Sequence, residues 1–154
     1  MTSLSGTKPR VGVVGLGAMG MGTATALLEC GFEVTGCDVS EKARAGFEHA
    51  GGRTVSALAE LAAKSDVVLL VVVNAAQVEQ VLFGESGLLA GLKPGSLVIQ
   101  CATVAPAIAR DLAERLGQAG IEMLDAPISG GAAKARAGQL SVMASGSTDA
   151  FGLA

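Results

Sequence analysis

Apolar positions along this chain fall into short runs, separated by longer segments in which apolar and charged residues recur at helical spacing. Val11, Val13 and Val14 form the first run, and Ala18 to Glu29 after it reads as a helix. Glu33 to Cys37 is a second strand. Ser40 to Ala50 is helical, with Glu41, Lys42, Arg44 and Glu48 on its wet side and Ala43 and Phe47 four apart on its dry side. Gly51-Gly52 stops it. Arg53 to Val55 is a short third strand, and Ser56 is placed to cap a helix from Ala57 to Lys64. The most hydrophobic run, within Asp66 to Val73, suits a central strand buried on both faces. Ala75 to Leu82 turns Val78, Val81 and Leu82 inward, and Gly84 to Leu92 reads as a turn with a short helix. Ser96 to Gln100 is the fifth strand. Pro106 opens a helix that runs to Gln118, and Gly120 ends it before a sixth strand, Ile121 to Leu124. Gln139 to Ser145 reads as one more strand, and Gly146 to Ala154 as the start of a further helix.

Regular alternation of strand and helix predicts an α/β fold: a Rossmann-type, doubly wound parallel sheet in a single domain, its strand order reversing beside the first strand. The expected boundaries are a disordered leader over residues 1–9 and a dinucleotide-binding domain over residues 10–154.

The first strand-to-helix turn carries the chemistry. Gly15, Leu16, Gly17, Ala18, Met19 and Gly20 run in the order G-x-G-x-x-G. Gly15 permits the tight turn, Gly17 lets the backbone approach a pyrophosphate, and Gly20 allows close packing of the helix. The helix N-terminus offers unpaired N–H groups and a partial positive charge to phosphate. Eighteen residues past Gly20, Asp38 ends the second strand, where a carboxylate accepts from ribose hydroxyls and repels a 2′-phosphate. The expected cofactor is therefore NAD rather than NADP. The plain alternative for Asp38 is a place in the N-cap region of the next helix, with Ser40 as the cap. Asn74, Thr103 and the Gly-rich stretch around Ser129 follow later strands at the same sheet edge, so their loops could enclose one cleft with the Gly15 loop.

Two stretches, Gly15-Leu16-Gly17-Ala18-Met19-Gly20 and Asp125-Ala126-Pro127-Ile128-Ser129-Gly130-Gly131, resemble the β-hydroxyacid dehydrogenase family, which includes 3-hydroxyisobutyrate and, more distantly, 6-phosphogluconate dehydrogenases. The resemblance covers nearly the whole chain. It implies that Ser129, Gly130 and Gly131 bind the carboxylate of a small hydroxy acid, and that Thr103 contacts the cofactor near the nicotinamide. Ala102 departs from the family's usual serine. Val73-Asn74 stands where the family often has proline, and Val73 and Asn74 are expected cofactor-contacting positions. The runs Arg10 to Gly20 and Val73 to Gln77 are similar to the branch acting on sugar acids. The family's catalytic lysine belongs to a later helical domain, and no segment of that pattern occurs before Ala154. No catalytic residue is therefore expected in this chain, which should bind cofactor without substantial turnover. Lys134 sits at a position the family does not use as acid or base. Two other readings stay open: an NADPH-dependent semialdehyde or imine reductase of the same architecture, with Lys42 and Arg44 near the phosphate, and a non-catalytic NAD-binding module.

Composition narrows the partners. The 154 residues are half apolar, with 16% charged, a net charge of −3, and neither Trp nor Tyr. That balance gives no reason to expect nucleic acid or an acidic membrane, and supplies no aromatic platform for bases. Val67 to Val73 is too short to span a bilayer. Cys30, Cys37 and Cys101 lack metal-ligand spacing and are expected to be buried thiols in a reducing compartment, and no metal is expected. His49, the single histidine, reads as a surface residue. The expectation is a cytoplasmic protein, homo-oligomeric at full length, whose isolated domain self-associates through an uncovered apolar edge.

Overall fold

The central strand, β1 (Val11–Val14), is buried along its whole length and pairs in parallel with β2 (Val34–Cys37) on one side and β4 (Val67–Leu70) on the other. The structure is a computed structural model and describes residues 6–154. Beyond β2 lies β3 (Arg53–Val55). Beyond β4 come β5 (Leu97–Gln100), β6 (Glu122–Asp125) and the two-residue β9 (Ser145–Gly146), in the order β3-β2-β1-β4-β5-β6-β9. The reversal beside β1 is the predicted one. Within this sheet all pairings are parallel except β6 with β9.

Side chains alternate across the strands, so each apolar run feeds two cores. Val11 and Val13 join Leu16, Ala24 and Phe47 on the face covered by α1 (Ala18–Glu29) and α2 (Glu41–His49). Val14, Val68 and Leu70 face the other way. They meet Leu61 of α3 (Leu58–Ala63), Leu82 of α4 (Ala75–Phe83) and Leu112 of α5 (Pro106–Gln118). Helices on both faces explain why the strands read as continuous apolar runs.

Some boundaries differ from the sequence expectation. Ser56 does not cap α3, because the helix begins one residue later, on Ala57 as an uncapped N-cap. The run expected to end at Val73 leaves the sheet after Leu70, which makes Val71–Val73 a rim. Within the second glycine-rich stretch lie β7 (Ile128–Ser129), paired with β8 (Ser141–Val142), and a helix not anticipated, α6 (Gly131–Arg136). The last expected strand is thus two dipeptides, β8 and β9, before α7 (Thr148–Leu153).

Of the leader expected over residues 1–9, residues 1–5 lie outside the described residues. Lys8 donates to the carbonyl of Cys30 and lies 4.9 Å from the ring centre of Phe32. Cys37 and Cys101 are buried, whereas Cys30, against expectation, is exposed as the cap residue of α1. His49 is exposed. Among the described residues no helix is long and apolar enough to cross a membrane, and no cluster of metal-ligating side chains occurs.

Candidate functional site

The three glycines of the first turn stand in different surroundings. Gly15 has φ +94°, and a Cβ there would stand 2.1 Å from the carbonyl oxygen of Val71. A Cβ on Gly20 would lie 1.7 Å from the carbonyl oxygen of Gly15, so this glycine admits the turn itself against the helix. Both are demanded by the protein's own backbone. Gly17 is not: its φ of −67° suits any residue, and a Cβ there would meet nothing within 4 Å. The position opens on solvent at the N-cap of α1, where no side chain caps the helix and no acidic residue occupies the first turn. An uncapped N-terminus with its N–H groups presented is the cradle that a phosphate requires. Leu16 turns its side chain into the core, against Gly36 and Phe47, and Ala18 is exposed beside Gly17.

Asp38 is held at both carboxylate oxygens. Oδ2 accepts from the Leu16 N–H at 2.7 Å and Oδ1 from the Ser40 N–H at 2.7 Å, while Ser40 Oγ caps α2 by accepting from the Ala43 N–H at 3.2 Å. The two readings of Asp38 are therefore compatible. The carboxylate braces the glycine turn against the cap of the next helix, and each oxygen keeps a further lone pair for an outside donor. Arg44, on the first turns of α2, donates from Nη1 to the Asp38 carbonyl at 2.6 Å. Burial pushes the adjacent Cys37 thiol up, with the Arg44 charge opposing.

A cleft of about 720 Å³ runs from Gly15 and Gly17 past Asp38 to Val73 and Gln77. Val39 and Val73 line it with almost fully exposed side chains, 102% and 81% accessible. Sequence reasoning missed Val39 and Gln77. The signal for Val39 was an apolar residue inside the otherwise polar cap sequence Asp38-Val39-Ser40-Glu41. Gln77 Oε1 accepts from the Val73 N–H at 2.8 Å, which fixes the rim. Asn74 has a different part: its Oδ1 accepts from the Gln77 N–H at 2.9 Å and caps α4.

Thr103 and Ser129 do not border that cleft. Both are exposed, and they follow β5 and β6, two and three strands from β1. At ~4.8 Å per strand the end of β6 lies about 14 Å across the sheet from the glycine turn. The structure thus unites Gly15, Gly17, Asp38 and Val73, and leaves the later loops further along the same edge. Gly130 and Gly131 have φ of +140° and +79°, and α6 starts from them. α6 lies against α1 at Gly22, where a Cβ would stand 2.9 Å from the Arg136 nitrogen. Arg136 also pairs with Glu29 through contacts of 2.7 and 2.6 Å, and its guanidinium holds the Glu29 carboxyl below its usual range. The two glycine-rich motifs are therefore tied together helix to helix. Burial pushes the Asp125 carboxyl up, opposed by a hydrogen bond from Gln100, and raises the Cys101 thiol to about 12.

Comparison with known proteins places this geometry. An L-threonate dehydrogenase of Cupriavidus necator is 50% identical over 144 residues, which are 94% of this chain and 48% of that protein. The chain thus spans about half the length of the curated relatives it matches. A crystal structure of 3-hydroxyisobutyrate dehydrogenase from Salmonella typhimurium superposes with a TM-score of 0.90 at 43% identity, covering 95% of this chain and 51% of that one. The structure of Psf3 in complex with NADP+ and 2-OPP matches with a TM-score of 0.88 at 30% identity, over 93% of this chain and 51% of that one. Residues 10–154 match the NAD binding domain of 6-phosphogluconate dehydrogenase, and the chain belongs to that family of Rossmann-type NAD(P)-binding domains.

Proposed function

We infer that this chain is the cofactor-binding part of an oxidoreductase that oxidises a small hydroxy acid, L-threonate or a similar sugar acid, with NAD as acceptor. The observation that carries the cofactor reading is Gly17: no neighbour in the protein requires a glycine there, and the position lines the open cleft at the start of α1. The substrate reading is supported by the likeness to L-threonate dehydrogenases. When bound, NAD supplies the acceptor for a hydride leaving the carbinol carbon. The backbone over Gly15–Gly20 receives the pyrophosphate, and Asp38 accepts from the ribose hydroxyls. Val73 borders the adenosine end. Thr103 stands at the nicotinamide end, and Ser129, Gly130 and Gly131 hold the substrate carboxylate. The base that takes the hydroxyl proton belongs to the half of the relatives that this chain does not span, a helical second domain. We assign the whole enzyme to the cytoplasm as a homo-oligomer.

Arg44 favours one second reading. Its guanidinium, 2.6 Å from the Asp38 carbonyl, puts a cation at the ribose end of the cleft, as an NADPH-dependent reductase would require. Calorimetric titration with NADH and, separately, with NADPH decides between them. NADH binding tighter than NADPH supports the hydroxy acid dehydrogenase. NADPH binding tighter supports the reductase, and binding of neither overturns both.

A further inference from the structure

Gln100 ends β5 fully buried, a polar residue after Leu97, Val98 and Ile99. Its amide is used on both sides. Nε2 donates to the Ala102 carbonyl at 2.8 Å and to Asp125 Oδ1 at 3.0 Å, while Oε1 accepts from the Ala102 N–H. Its backbone carbonyl accepts from the Ala126 N–H at 2.7 Å. Ala102 is the residue before Thr103, and Asp125 and Ala126 are the root of the loop that carries Ser129. One side chain therefore holds the bases of two loops on neighbouring strands. An apolar residue would fill the same space without the cost of burying an amide, so the amide is explained by what it organises.

We propose that Gln100 is a positioning residue: it sets the Thr103 loop and the Asp125–Gly131 loop against each other, so that the nicotinamide end of the cofactor and the neighbouring carboxylate site form one prearranged surface. This rests on the function inferred above. The glycine turn and Asp38 lie outside the reach of Gln100, so the adenosine half of the site is independent of it. Removing the amide leaves the Ala102 N–H and carbonyl without their partner and frees both loops.

The test compares NAD+ with ADP-ribose, which carries the same adenosine diphosphate but no nicotinamide. Both are titrated calorimetrically into this chain and into its Gln100→Met and Gln100→Glu variants. Gln100→Met keeps the volume and removes every polar atom. Gln100→Glu keeps the acceptor for the Ala102 N–H but loses both donors and opposes Asp125. The expected result is NAD+ affinity about tenfold lower in both variants, or about 1.4 kcal/mol, with ADP-ribose affinity unchanged. Unchanged NAD+ affinity overturns the proposal, as does NAD+ binding no tighter than ADP-ribose in the parent chain. Equal loss of both ligands in both variants makes Gln100 a plain core residue and also overturns it. Failure of the parent chain to bind ADP-ribose overturns the cofactor reading itself, an outcome the variants cannot imitate.

Discussion

Replacing Gly17 and Gly20 separately by alanine separates what the fold requires from what the ligand requires. At Gly17 a methyl group meets nothing within 4 Å, and the backbone at φ −67°, ψ −172° accepts it. Alanine is a poorer N-cap than glycine by up to ~1 kcal/mol. The stiffer unfolded chain returns about 0.4–1 kcal/mol. The two nearly cancel, so the melting temperature of Gly17→Ala should stay within about 3 °C of the parent. On the proposed cofactor reading binding responds differently, because the methyl would stand between the pyrophosphate and the N–H groups of α1. Loss of one charge-assisted hydrogen bond, about 1.5–3 kcal/mol, lowers affinity roughly 10- to 100-fold. At Gly20 the methyl would stand 1.7 Å from the Gly15 carbonyl oxygen, inside any van der Waals limit, so turn or helix must move. That costs at least ~3 kcal/mol, about 6–12 °C or more in melting temperature. Far-ultraviolet circular dichroism reads stability, and calorimetry with NAD+ reads binding. A Gly17→Ala variant that binds NAD+ like the parent, or melts as early as Gly20→Ala, refutes the argument that an external ligand explains this glycine.

Asp38→Asn removes one acceptor from the brace between Leu16 and Ser40, and should cost about 1–3 kcal/mol in urea unfolding while lowering the preference for NADH over NADPH at least ~10-fold. A preference unchanged in paired calorimetric titrations would detach Asp38 from cofactor choice. Phe47 is fully buried, and Cβ atoms added at Gly36 and Gly52 would lie 2.9 and 2.3 Å from its ring. Phe47→Ala should therefore cost about 3–5 kcal/mol in urea unfolding, and a loss below ~1 kcal/mol would mean the cavity collapses. The Arg10 guanidinium, bonded to Asp66 at 2.8 and 3.1 Å, holds that carboxyl below its usual range. A depressed carboxylate contributes stability that is full above its unfolded pKa, near ~4, and lost as pH falls through the lower folded value. Both side chains are about 40% exposed, so Arg10→Met should cost under ~1 kcal/mol at pH 7 after solvent screening. The difference from the parent should shrink in acid unfolding titrations; a constant difference contradicts the linkage.

Much of the fold was legible because parallel strands buried on both faces leave unmistakable apolar runs, and because α1 and α5 announce their starts with the glycine turn and Pro106. What stayed hidden was decided by tertiary contact. α6 has six residues and no apolar periodicity, and it is held by α1 through the missing side chain of Gly22 and by Arg136 on Glu29. β9 is two residues long and exists because Gly146 lies beside Leu124 on the edge of β6. The Ser56 cap failed since one residue of shift suffices to move a hydroxyl off the first turn. In the candidate site, glycine order and Asp38 could be read from spacing alone. Val73 was reached only through the family resemblance, and Val39 was not reached at all, because an apolar residue in a sequence says nothing of which way it faces.

Gln100 shows where a sequence does carry such information and how to look for it. In β5 the residues Leu97, Val98 and Ile99 obey the rule for a buried parallel strand, and Gln100 breaks it at the carboxyl end, where ligands approach an open sheet. A polar residue in that place has two explanations. Either the strand has ended and the side chain meets water, or it is buried and its polar atoms have partners of their own. Exposure separates them, and here the side chain is fully buried with its amide donating twice and accepting once. Local departures from pattern thus point to function only once burial is known. The partners then say which loops the departure serves, and in this chain they are the two that follow β5 and β6, beyond the cleft at the glycine turn.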